Sequence, residues 1–162
     1  MRLKTSYSAR EVAALTGLTA RQLQSWDVSR IFSPAIAPRR TTAGGFTERR
    51  YSPVDVIELI ALADLRRQGF TPAVLRQMMD TLRDYFRRRL SETLDDAGEL
   101  RLLTDGRGLF LRTRQGHFFD LLVDPQQPLV TGDGLRLVPV TPHARAKRKK
   151  KTPGARSARP SR

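Results

Sequence analysis

The feature that most constrains the fold lies between Tyr7 and Tyr51, where two helix-start signals are separated by one glycine turn. Ser8 and Glu11 have capping-box spacing, in which each side chain satisfies a free backbone amide at the start of a helix, and Thr19 and Gln22 repeat it. Gly17 stands between them and suits the left-handed conformation that closes a short helix. On the second helix Arg21, Gln24, Ser25 and Val28 share one side, and Leu23, Trp26 and Arg30 lie opposite. The spacing predicts that Leu23 and Trp26 pack on Val12, Ala13 and Leu18, with Ile31 and Phe32 continuing that core. Pro34 and Pro38 end helical structure, and residues 38–51, PRRTTAGGFTERRY, suit a basic hairpin with Gly44-Gly45 at its tip. Two short helices, a tight turn and a basic hairpin build a helix-turn-helix with a wing, and B-DNA is the usual partner of that shape.

Ser52-Pro53 supplies an N-cap and a first-turn proline for a third helix, expected to run to about Arg67. Val54, Val56, Ile57, Leu59, Ile60, Leu62 and Leu65 make it apolar on most sides, as a central core helix is. Gly69 breaks it, and Thr71-Pro72 opens a fourth helix by the same device. The fourth is expected to reach roughly Leu90, with Leu75, Met78, Met79, Leu82 and Phe86 in one stripe. Beyond Leu90 the pattern changes to short apolar segments near 99–103, 109–114, 117–123 and 135–140. Between them lie Asp105-Gly106, Gln115-Gly116 and Gly132-Asp133-Gly134, which predicts an antiparallel meander of three or four strands packed on the helices.

Charge is distributed unevenly. The formal net charge is +14, but the segment from Thr141 to Arg162 carries nine Lys or Arg and no acid, and the remainder holds 21 basic against 16 acidic residues. That segment has almost nothing to bury and is expected to be a disordered basic tail. A winged helix-turn-helix domain over 1–90, a β meander over 91–140 and a tail over 141–162 make a mainly α chain with a smaller β part. There are no cysteines, and His117 and His143 stand far apart, so neither a metal site nor a cofactor is expected. No nucleophile stands with a base. Asp95, Asp96, Glu99 and Asp105 fall in loops, so the chain does not read as an enzyme. No apolar run approaches the roughly 20 residues that span a bilayer. The first helix signal follows Met1 too closely for a secretory leader, which predicts a cytoplasmic, nucleoid-associated protein with a polyanion partner.

The ordered parts resemble the N-terminal domain of MerR-type transcription regulators. The resemblance rests on YSAREVAALTGLTARQLQSWD with Glu11-Val12-Ala13, Gly17 and Leu23, on Trp26-Asp27 as an aromatic followed by an acid, on Pro34, on Arg50-Tyr51-Ser52, and on LRRQGFTPAVLRQM. It covers about residues 7–82 and implies a winged helix-turn-helix that binds operator DNA, usually as a dimer. Gln24-Ser25 stands where the family often has Arg-Tyr. Arg30 stands where a helix-ending glycine is usual; a left-handed arginine costs on the order of 1 kcal/mol, so a different turn is expected there. The family's long C-terminal dimer helix is replaced by strands soon after Leu90. The expected homodimer contact is therefore the seam Leu75, Met78, Leu82 and Phe86, continuing to Leu90, or else the β segment.

The candidate DNA-binding residues fall in three groups. Arg21, Gln22, Gln24 and Ser25 would face the major groove, where Arg suits guanine, Gln suits adenine and Ser either edge, while Thr19 opens a helix N-terminus favourable to phosphate. Arg39, Arg40, Arg49 and Arg50 flank the wing tip and would hold phosphates. Lys147, Arg148, Lys149, Lys150 and Lys151 would condense on nucleic acid through counterion release. Two rivals stand beside a transcription regulator. One is a DNA-architectural, excisionase or partition-type accessory protein. The other is an RNA-binding or protein-docking module on the β segment. The sequence names no small-molecule effector.

Overall fold

Each of the four α-helices among the described residues begins at a hydroxyl cap, as the sequence predicts. The structure is a computed structural model that describes residues 4–40, 47–129 and 136–143. A two-residue strand β1 (Tyr7–Ser8) leads into α1 (Ala9–Thr16), where Ser8 Oγ accepts from Glu11 N–H and Glu11 Oε2 accepts from Ser8 N–H at 2.9 Å. Gly17, at φ 78°, closes α1 with its N–H on Ala13 O. Helix α2 (Ala20–Val28) opens on the same reciprocal pair made by Thr19 and Gln22. Val12, Leu18, Leu23, Trp26, Ile31 and Phe32 are buried together, and Ala13 is only partly buried.

The end of α2 departs from expectation. Arg30 does adopt the left-handed conformation, at φ 60°. Ile31 N–H reaches back to Trp26 O at 2.9 Å and Arg30 N–H to Asp27 O at 3.2 Å, the two bonds of a Schellman turn. The turn normally served by glycine is kept, and arginine carries its strain. Replacing Arg30 by glycine is therefore expected to stabilise the protein by about 0.5–1 kcal/mol, the relief of strain exceeding the added freedom of the unfolded chain. Thermal unfolding measures it, and a lowered melting temperature would contradict it.

Strands β2 (Arg39–Arg40) and β3 (Thr47–Glu48) pair antiparallel, Arg39 opposite Glu48 and Arg40 opposite Thr47. The expected tip at Gly44-Gly45 lies outside the described residues. Strand β4 (Arg50–Tyr51) returns to pair with β1, Tyr7 opposite Tyr51. Helix α3 (Pro53–Arg67) has the expected limits, capped by Ser52. Its burial differs: Val54 and Ile57 are exposed, while Asp55 and Glu58 are almost fully buried. An apolar pattern fixes which arc of a helix can be buried, but not where the neighbouring segments close over it.

Helix α4 (Pro72–Asp84) is shorter than expected and stops before Leu90. Phe86 N–H turns back to Thr81 O, Arg87 takes φ 55°, and Arg88 N–H bonds Leu82 O at 3.0 Å. The chain then enters a 3₁₀ turn, Leu90–Thr93. Leu75, Met78, Leu82 and Leu90 are fully buried within one chain, in the same cluster as Leu102, Leu109, Leu111 and Leu121 of the following sheet. The expected dimer seam is thus intramolecular core, and the core crosses Leu90 without a break.

That sheet has five strands, β5 (Leu100–Thr104), β6 (Leu109–Thr113), β7 (Phe118–Asp120), β8 (Asp124–Leu129) and β9 (Val138–Pro139), in the order β8-β7-β6-β5-β9. The segment expected as one strand over 117–123 is cut at Asp120. Its carboxylate accepts from Leu122 and Val123 N–H at 2.9 and 3.1 Å, and this side-chain turn competes with the ladder. Strand β8, unforeseen, holds Pro125 and Pro128 and lies at the edge, where a missing donor costs nothing. The expected turn at Gly132-Asp133-Gly134 lies outside the described residues. Arg101 binds the carbonyl of Val140 at 2.9 Å, and His143 N–H donates to Asp64 at 2.8 Å, so residues 141–143 belong to the fold rather than to the tail.

Candidate nucleic-acid interface

Helix α2 divides by burial along its length. Leu23 and Trp26 are 2% and 5% exposed, whereas Arg21, Gln22, Gln24, Ser25 and Val28 face outward. The cause is local: the capping box fixes where the helix starts, and the 3.6-residue period then sends Leu23 and Trp26 to the α1 side. Thr19 and Gln22 are partly committed, since Thr19 Oγ1 accepts from Gln22 N–H at 3.0 Å and Gln22 Oε1 from Thr19 N–H at 2.9 Å. Arg21, Gln24 and Ser25 make no side-chain hydrogen bond among the described residues.

Asp27 joins this helix to the segment behind it. Its Oδ2 receives Arg49 Nε at 2.9 Å and its Oδ1 receives the Ser33 hydroxyl at 2.8 Å. Arg49 thereby ties the strand leaving the β2–β3 ladder to the C-terminal end of α2. Arg50 lies nearby but turns away, donating to Ser6 Oγ at 2.6 Å and to Glu48 at 3.4 Å. Arg39 and Arg40 lie on β2, and Lys147, Arg148, Lys149, Lys150 and Lys151 lie outside the described residues. The structure therefore brings α2 and Arg49 together and assigns Arg50 to an internal link. Asp27 was not a candidate from the residues themselves; the acid following Trp26 was its only signal.

A second charged cluster holds the frame behind α2. Asp55 accepts from Ser52 N–H at 2.8 Å, from Ala35 N–H at 3.1 Å and from Arg89 at 3.2 Å, and Glu58 accepts from the same guanidinium. Burial pushes the Glu58 carboxyl up, and the Arg89 charge opposes that rise. Arg89 thus pairs with two buried acids and ties the segment after α4 to the loop after α2.

Residues 7–82 match the MerR HTH family of regulatory proteins. This part of the chain is a MerR-type helix-turn-helix domain. No curated protein matches the chain. The MerR match begins at β1 and ends at Leu82, inside the buried stripe of α4, so the 3₁₀ turn and the five-stranded sheet lie beyond it. DNA-binding transcription regulation is the class of activity that a MerR domain carries. Among the described residues no group of three or more His, Cys, Asp or Glu is arranged to hold a metal ion, and no helix is long and apolar enough to cross a membrane.

Proposed function

We propose that the chain is a sequence-specific, cytoplasmic transcription regulator that reads the major groove of operator DNA with α2. The observation that supports this best is the outward face of Arg21, Gln24, Ser25 and Val28 on a helix anchored by buried Leu23 and Trp26. Arg21 and Gln24 would contact base edges, and Val28, 76% exposed, would lie against a thymine methyl. The β2–β3 ladder would serve as a wing, with Arg39, Arg40 and Arg49 toward the phosphates and Asp27 holding Arg49 in place. Arg21→Ala and Gln24→Ala are expected to weaken a cognate site by about 1–3 kcal/mol each, and random DNA by less. Fluorescence anisotropy on both DNAs measures the difference. Equal losses on both would remove α2 from base reading.

The basic tail is proposed to add sequence-independent affinity. Deleting residues 144–162, which spares the hydrogen bonds of Thr141 and His143, is expected to lower the log–log salt slope of binding by about 0.9 for each phosphate that the tail neutralises. An unchanged slope would make the tail a spectator on DNA. Two operator half-sites would call for a homodimer, and with the α4 stripe inside the monomer the contact falls to the β segment. Light scattering with and without DNA tests this; a monomer in both conditions would overturn it.

A further inference from the structure

Among the described residues only two non-glycine residues have positive φ, Arg30 at 60° and Arg87 at 55°. The first lines a cleft of about 460 Å³, formed by the turn after α2, by α3 and α4, and by the segment after α4, and the second immediately precedes Arg88 in that segment. Arg30 lines it directly, and Arg87 reverses the chain so that Arg88, Arg89 and Leu90 line it. Backbone strain concentrates where a ligand site requires it. Glycine would serve the Schellman turn after α2 at lower cost, but glycine cannot supply a guanidinium.

The walls are of two kinds. Ile31, Phe32, Leu82 and Leu90 are buried apolar side chains, with Met79 half-buried beside them. The polar groups are four arginines, Glu58 and Ser33, whose hydroxyl donates to Asp27. Glu58 is paired with Arg89, which it shares with Asp55, while Arg83 and Arg88 hold only exposed partners, Asp80 and Asp84 for the first and Glu99 for the second. Such exposed pairs are weakly held in water and exchange readily. Arg30 has no carboxylate partner among the described residues. The size lies within the range of about 300–1,000 Å³ common for small-molecule sites.

We propose that this cleft binds a small amphipathic monoanion, an aromatic or branched apolar body bearing one carboxylate or sulfonate. The body lies against half-buried Met79 and the edge of Phe32, and the anionic group meets Arg30, with Arg88 also in the lining. Because Arg30 closes α2, a bound anion acts as an effector of DNA binding; that clause rests on the proposed function, while the binding site itself does not. The probe is 8-anilinonaphthalene-1-sulfonate, titrated by fluorescence into the full chain, with the neutral N-phenyl-1-naphthylamine as its uncharged counterpart. Saturable one-site binding is expected, weakened about tenfold or more by Arg30→Gly, since a charge-assisted hydrogen bond is removed. Arg30→Gly also removes backbone strain, so its loss of binding does not come from unfolding. Met79→Trp, which fills the cleft, should remove binding of both probes. Unchanged sulfonate affinity in Arg30→Gly, or equal affinity for the neutral probe, would overturn the site. Saturating sulfonate should also shift affinity for a DNA fragment selected by the protein, in wild type and not in Arg30→Gly. Binding to the protein without that shift would overturn the effector role alone. Failure to select any DNA, with sulfonate binding intact, would count against the proposed function and not against the site.

Discussion

Arg89→Ala is expected to cost about 3 kcal/mol of folding stability at neutral pH, because it leaves two buried carboxylates without their cation. Asp55 and Glu58 are 0% and 2% exposed, and the Arg89 guanidinium bonds both. Half of the Arg89 side chain is exposed, so water will compensate part of the loss, which places the value at the low end for a broken buried pair. The effect should depend on pH. Burial raises the Glu58 carboxyl above its unfolded value near 4.5, and Arg89 restrains that rise. Without Arg89 the folded-state value climbs further. A carboxyl with a raised folded value binds more protons when folded, so its contribution is present below the unfolded value and is lost as pH rises through the folded one. The penalty of Arg89→Ala should therefore be full near neutrality and shrink as the medium approaches about pH 5. Urea unfolding at both pH values measures this. Adding Glu58→Gln to Arg89→Ala should restore part of the loss at neutral pH. A penalty equal at both pH values, and unrelieved by Glu58→Gln, would mean that Arg89 acts through packing alone.

Leu82→Ala is expected to destabilise by a similar amount, about 3 kcal/mol, through reduced burial and a residual cavity. Leu82 is 1% exposed in a cluster that takes Leu75 and Met78 from its own helix and Leu102, Leu109, Leu111 and Leu121 from the sheet side. Leu82→Glu should go further and abolish cooperative folding, since an unpaired carboxylate has no partner there. Circular dichroism with denaturant gives both results. The alternative for this stripe was an intermolecular seam. A Leu82→Glu protein that stays folded and turns a dimer into a monomer would restore that alternative.

Local signals carried the helical half far. Ser8 with Glu11, Thr19 with Gln22, Ser52-Pro53 and Thr71-Pro72 each mark a helix start within a few residues of sequence, so all four starts were legible. The division of α2 into buried Leu23 and Trp26 and an outward polar face follows from the helix period alone. The strand order was less legible, because Pro125 and Pro128 hide an edge strand in β8 and Asp120 ends β7 through its own side chain. Arg49 and Arg50 look equivalent in sequence, yet one bonds Asp27 and the other Ser6. Only the fold distinguishes them: Arg50 stands on β4 opposite Ser8, whereas Arg49 lies between β3 and β4 and reaches the end of α2.

By itself the sequence determined the capped helices, the turn between α1 and α2, the outward residues of α2 and the MerR-type order of parts. These rest on interactions between residues close in the chain, where spacing fixes geometry. Only the tertiary structure decided that α4 stops at Asp84, that its apolar stripe is covered by its own sheet, and that Asp55, Glu58 and Arg89 form one buried cluster. Each of those outcomes depends on which distant segment reaches a given face. An apolar stripe records that something must cover it, and a charged residue that something must solvate or pair it; neither records which partner does so.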